Sequence, residues 1–203
     1  MIDTKKHGAE IGRALRLGKF ERTPAGILIG GGMNALVNGA FKDTLYRGGE
    51  RDISISPNIV LDEWLIFMLN VMFNGASPIT AWYVGLFSGN VTPAGTLTGA
   101  ALVGTLTELT GYTITGGSET NRPAFTTTTT ATKSLGNTGS EALFNFDDEG
   151  PYTARGAFIA QAQAKGAVTG KAVAATRFAA DRTGLALPDK LGVEYIATAA
   201  DAG

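Results

Sequence analysis

Residues 142–160 read ALFNFDDEGPYTARGAFIA. Ala142–Phe146 and Ala154–Ala160 are short apolar runs, and Asp147-Asp148-Glu149-Gly150-Pro151 between them holds the acids, glycine and proline that interrupt regular structure. The stretch predicts two strands across a turn, and the same texture continues on both sides. Upstream, Thr80–Phe87 (TAWYVGLF) reads as a strand ended by Ser88-Gly89-Asn90. Thr126–Thr130 is a β-branched run suited to extended backbone or to a threonine-rich linker. Downstream, Val168–Ala179 reads as another strand, and Leu191–Ala197 alternates as a last one. Short strands set apart by glycine, proline and asparagine turns, without helices between them, predict a mainly β chain. The expected architecture is an antiparallel, jelly-roll-like β sandwich.

Two zones precede it. Ile59–Phe73 predicts one short helix: Ser56-Pro57-Asn58 supplies cap-like residues, Asp62 and Glu63 put negative charge in the first turn, and Asn74-Gly75 supplies a stop. Trp64, Leu65, Phe67, Met68, Leu69, Met72 and Phe73 cover nearly its whole circumference. A helix apolar all round is normally buried, so it either covers the sheet or is shared with another subunit. Residues 1–57 predict an extended Gly-rich N-terminal arm, leaving 58–203 as the helix plus β-sandwich domain. In the arm, apolar groups such as Ile27-Leu28-Ile29 and Leu36-Val37 are separated by Gly30-Gly31-Gly32, Gly39 and Gly48-Gly49, so no periodicity lasts long enough to build a core. A short helix over Ala9–Leu17 is compatible with the sequence. Such an arm needs a partner surface, on its own domain or on a neighbouring copy.

Composition excludes more than it assigns. The 203 residues include 28 Gly, one His and no Cys, with a formal net charge of -1. Disulfides, thiol nucleophiles and thiolate metal sites are therefore impossible, and a zinc site built on two or three histidines is equally out of reach. His7 is the only group that titrates near neutrality unperturbed, so no sharp loss of fold is expected between about pH 6 and 8. No secretory leader is expected, because Lys5 and Lys6 are followed by His7, Glu10, Arg13 and Arg16 instead of an apolar run. The run Trp64–Phe73 is shorter than the ~20 residues that span a bilayer. Charge is unevenly placed: residues 1–60 hold nine basic and six acidic residues, whereas 80–150 hold two basic and six acidic ones. The basic arm could meet phosphates; the acidic surface of a neighbouring subunit explains the same asymmetry equally well and is the favoured reading.

Motifs that suggest chemistry each have a plainer reading. Gly30-Gly31-Gly32 lacks the spacing and the lysine of a phosphate loop. Asp147-Asp148-Glu149 lacks the alternation of a calcium loop and suits a solvated acidic turn. Acids are scarce on the proposed strands, Glu194 being the clearest, so no catalytic pair is assigned. Asn90-Val91-Thr92 matches a glycosylation acceptor by coincidence where no leader is expected. The expectation is a chain with no catalytic residue, no metal and no cofactor.

Over roughly residues 80–199 the chain carries, in order, Trp82–Phe87, Gly111-Tyr112, Arg122-Pro123-Ala124-Phe125, Asn137-Thr138, Phe144-Asn145-Phe146, Gly156-Ala157-Phe158, and Phe178-Ala179 followed by Asp189, Leu191, Val193 and Tyr195. In this pattern the β zone resembles small virion structural proteins of tailed bacteriophages. Thr115–Glu119 lengthens one loop, and Pro188 precedes the final strand. The resemblance implies a capsid cement or decoration protein, made in the host cytoplasm and located in the virion, binding the major capsid protein or other virion subunits. A neck or tail position is the alternative, and a carbohydrate- or receptor-binding sandwich is the alternative from another class. A homo-oligomer is expected, with neither membrane nor nucleic acid as partner. The residues expected at the partner interface are Ile27, Leu28, Ile29, Leu36 and Val37 of the arm and Trp64, Phe67, Met68 and Phe73 of the helix.

Overall fold

The computed structural model describes residues 20–23, 26–29, 35–127, 133–147 and 149–201. Among the described residues, thirteen strands and two helices follow in chain order. β1 (Phe20–Thr23), β2 (Gly26–Ile29), β3 (Ala35–Arg47), β4 (Glu50–Pro57) and β5 (Ile59–Val60) come before α1 (Asp62–Phe73). β6 (Tyr83–Phe87) leads to α2 (Gly99–Leu106), β7 (Glu108–Leu109) and β8 (Tyr112–Ile114). β9 (Ser134–Gly136), β10 (Ala142–Phe146), β11 (Tyr152–Ala160), β12 (Ala172–Leu185) and β13 (Lys190–Asp201) complete the chain.

The strands form two antiparallel sheets, as the spacing of turns predicts. The larger has eight strands in the order β1-β2-β3-β13-β10-β8, with β4 also paired to β3 and β9 to β13. The smaller has five, in the order β5-β12-β11-β6-β7. Alternation decides which side chains fill the space between them. In β10, Ala142, Phe144 and Phe146 point inward and are buried, while Leu143 and Asn145 are only half-buried. Phe41, Leu45, Leu191, Val193 and Tyr195 of the large sheet meet Val84, Leu86, Ala157, Ile159 and Phe178 of the small one.

The small sheet is covered on its other face as well. Phe87, Phe158 and Ala175 turn away from the first core and pack with Leu61, Leu97, and Leu102 and Leu106 of α2. Strands with two covered faces need not alternate, which is why β6 and the second half of β11 read as continuous apolar runs. Gly85 belongs to this packing: a Cβ there would lie 2.2 Å from the Phe158 ring.

Several expectations require correction. The span 35–57 is not part of an arm. β3 pairs with β13 over twelve residue pairs, Ala35–Asp201 to Tyr46–Lys190, and so stands at the centre of the large sheet. Its turn into β4 is the two-residue Gly48-Gly49, at φ 59 and 84, the left-handed values that two-residue hairpins require. The sandwich thus begins upstream of residue 58. The expected helix over Ala9–Leu17 and the Gly30-Gly31-Gly32 segment lie outside the described residues.

Ile59 and Val60 are extended and pair with β12, so α1 starts at Asp62, with Leu61 at its N-cap and no side-chain cap. α2 was not expected from the sequence. β10 and β11 do not form a hairpin: β10 pairs with β13 and β8, β11 with β12 and β6, so Asp147–Pro151 crosses between sheets. Arg122–Phe125 is not a strand, and its one ladder contact is Ala124 with Tyr83. Thr126 and Thr127 are irregular, and the rest of that threonine run is outside the described residues.

Candidate interaction surface

α1 spells DEWLIFMLNVMF, with nine apolar residues in 12. Glu63 in its first turn fastens the helix to the sandwich. Its Oε2 accepts the backbone N–H of Gly99 at 2.8 Å and of Ala172 at 2.9 Å, and Lys171 Nζ lies 3.3 Å from Oε1. Only Leu65 and Leu69 are fully buried. Leu65 packs with Val60, Met68 and Val37. Trp64 leans on the main core, and the Phe67 ring stands edge-on to Trp82 at 6.4 Å. The rest of the helix faces solvent: Ile66 is 46% exposed, Met72 61% and Phe73 43%. Beside this face lies a cavity of about 520 Å³, lined by Ile66, Phe67, Asn70, Asn74, Thr96 and Thr98 among others.

The residues expected at an interface fall into two groups. Ile27 pairs with Val37, Leu28 with Leu36 and Ile29 with Ala35 across β2 and β3. Four of the five arm residues are therefore register partners of one another within the same chain. Trp64, Phe67 and Met68 are half-buried and help to seat α1, whereas Phe73 belongs to its exposed face. Ile66 and Met72 join Phe73 there. Their signal was present in the sequence as the excess of apolar residues, but which side a helix buries depends on where β12 and β5 lie. Outside α1, Ile53 and Ile55 of β4 are 54% and 65% exposed on the outer face of the large sheet.

Charged groups, by contrast, are placed inside. Arg122 and Glu108 have side chains only 1% exposed each, joined by Nε–Oε1 at 2.6 Å and a second bond from the guanidinium to Oε2 at 2.8 Å. Arg122 also donates to the Ala162 carbonyl at 2.7 Å and lies 5.1 Å from the centre of the Phe158 ring. At the opposite side of the small sheet, Arg182 of β12 bonds Asp43 of β3 at 2.6 Å and also reaches Asp52 of β4. Burial pushes the Asp43 carboxyl up, and the hydrogen bond and charge of Arg182 oppose it. Arg47 makes a third tie near the β3–β4 turn, donating to Asp189 at 3.0 and 2.7 Å and to the carbonyls of Thr183 and Gly184. That guanidinium holds the Asp189 carboxyl below its usual range. A second cavity of about 500 Å³ opens here among Tyr46, Arg47, Glu141, Leu143, Pro188 and Lys190.

Among the described residues no group of three or more His, Cys, Asp or Glu is arranged to hold a metal, and no helix is long and apolar enough to cross a membrane. No protein-family model, curated protein or solved structure matches this chain.

Proposed function

We propose that this chain is a non-enzymatic structural subunit of a tailed-phage particle, binding and stabilising capsid subunits as a cement or decoration protein. The observation that carries the reading is α1: nine apolar residues in a 12-residue helix of which two are buried. An exposed apolar face of that kind marks a surface completed by another protein. The sandwich beneath supplies the rigid footprint such a role needs, because Glu63 ties α1 to both β12 and α2. The order of apolar and turn motifs from Trp82 to Tyr195 supports the choice of partner through the resemblance to virion proteins.

The test is to mix the purified chain with particles from a phage lysate and count bound copies. Copies in proportion to the capsid subunits support the cement reading, while a small ring's worth moves the chain to the neck or tail. Met72→Glu should abolish binding to the particle while leaving the fold intact. Absence of binding by the native chain overturns the proposal.

A further inference from the structure

Asn-Gly occurs twice in the chain, at Asn38-Gly39 and at Asn74-Gly75. Asparagine is a thermolabile residue, and a following glycine makes it more so, because no Cβ keeps the next backbone nitrogen away from the side-chain carbonyl carbon. Both pairs carry this local chemistry, and the fold treats them differently. Asn38-Gly39 lies inside β3, with Asn38 opposite Thr198 and Gly39 opposite Ala197 of β13. The Gly39 N–H donates to Asn38 Oδ1 at 2.7 Å, and its carbonyl accepts the Asn58 N–H at 3.4 Å. A Cβ on Gly39 would lie 2.6 Å from Tyr195 Oη, so the backbone is packed against that ring. Closing a five-membered ring from Gly39 N to Asn38 Cγ needs rotation about the Asn38 Cα–C bond, which the ladder at the centre of the large sheet opposes.

Asn74-Gly75 follows α1. The Asn74 N–H donates to the Asn70 carbonyl at 3.0 Å, and the Ala76 N–H donates to the same oxygen at 3.1 Å. Between them, the Gly75 N–H has no acceptor among the described residues. Gly75 stands at φ 68, and nothing lies within 4 Å of the place its Cβ would take. Both residues are exposed. The Asn74 side chain is held by one long bond, Nδ2 donating to Asn70 Oδ1 at 3.3 Å. The reacting groups are therefore adjacent, solvated and outside any ladder.

We infer that Asn74-Gly75 is a site of spontaneous deamidation, and that the large sheet shields Asn38-Gly39 from the same reaction. The Gly75 nitrogen attacks Asn74 Cγ, the Cγ–Nδ2 bond breaks, and the Gly75 proton passes to the departing nitrogen, which leaves as ammonia. Water then opens the succinimide, giving aspartate where the new N–Cγ bond breaks and isoaspartate where the original peptide bond breaks. One water is consumed, one ammonia is released, and nothing is oxidised or reduced. The product is a carboxylate at the C-terminal end of α1, where the helix dipole disfavours negative charge. It replaces the amide that donates to Asn70 and stands in the lining of the cavity shared with Ile66 and Phe67, so the reaction writes a charge beside the exposed apolar face. The reaction itself does not rest on the phage reading, since it concerns the purified chain alone.

The test incubates the purified full chain at mildly alkaline pH, digests it in acid, and follows the Asn38 and Asn74 peptides by mass for the change from amide to acid. In the folded chain Asn74 should convert at least about tenfold faster than Asn38, which reacts only through opening of the ladder. In urea sufficient to unfold the chain, the two rates should converge. Asn74→Gln should remove the acidic form that ion exchange separates from the folded native chain. Equal rates at the two sites in the folded chain, a difference that persists in urea, or an acidic form undiminished in Asn74→Gln would each overturn the inference.

Discussion

The two sides of the small sheet invert the usual distribution of polarity. At one edge Arg122 and Glu108 are almost completely buried, while on α1, beside the other, Met72 is 61% exposed. The difference lies in where the matching groups come from. Arg122 finds two carboxylate oxygens, a carbonyl and an aromatic ring within its own chain. Met72 has no equivalent set of partners among the described residues. Burial in this protein follows the supply of partners within the chain more than the polarity of the side chain. Under the proposed function, the exposed apolar residues on α1 are where a partner from outside would supply the missing contacts.

The strongest way to break this comparison is to remove one half of the buried pair. Arg122→Ala leaves Glu108 uncompensated in a dry site and should cost about 3–5 kcal/mol, read as a fall in the urea midpoint at unchanged slope. Arg122→Met with Glu108→Leu should recover much of that loss, because two apolar groups avoid the unpaired charge. If Arg122→Ala were nearly neutral, the pair would be solvated and the contrast with α1 would collapse.

A smaller effect is expected at Asn137, a fully buried amide that accepts the N–H of Tyr195 at 2.7 Å and donates to the Val193 carbonyl at 3.1 Å. Asn137→Ala orphans both backbone groups and should cost about 1–3 kcal/mol.

The Arg47–Asp189 tie adds a pH dependence. The folded-state pKa of Asp189 is lowered by Arg47, so its contribution is present above the ordinary value of 3.8 and is lost as the pH falls through the lowered folded value. Asp189→Asn should flatten that part of the acid limb and leave stability near neutrality lower by about 1–2 kcal/mol. Stability measured across the acid range in both chains checks the sign.

The smallest change in stability is predicted for Met72→Glu, within about 0.5 kcal/mol in the isolated chain. Loss of particle binding without loss of stability would sharpen the comparison; a large destabilisation would show that Met72 is supported by its own fold.

What the sequence revealed follows the same division between local and distant causes. β6, β10, β11 and β13 were legible because apolar runs and turn residues are local signals. The β3–β4 hairpin was not, since Asp43 faces inward and interrupts the apolar alternation of β3. Its partner Arg182 lies 139 residues away, so nothing nearby indicates that the charge is satisfied. Gly48-Gly49 was the available clue to that hairpin. α2 was hidden by Gly99 and Gly104, which weaken a helical reading of GAALVGTL until its packing on Phe87 and Phe158 is known. For the candidate surface, the sequence disclosed that α1 carries too many apolar residues to hide, but not which of them the sandwich would cover.

The pairing of β3 with β13 sets an order of events during synthesis. β3 is made well before its partner, which is completed only at Asp201. At ordinary elongation rates that interval is on the order of ten seconds or more. Phe41 and Leu45 are made long before Leu191 and Val193, the residues they pack with, so the large sheet closes only after residues 190–201 have been made. Truncated nascent chains ending before Lys190 carry an apolar strand with no place to go, and slower translation lengthens the time during which chaperones must shield it.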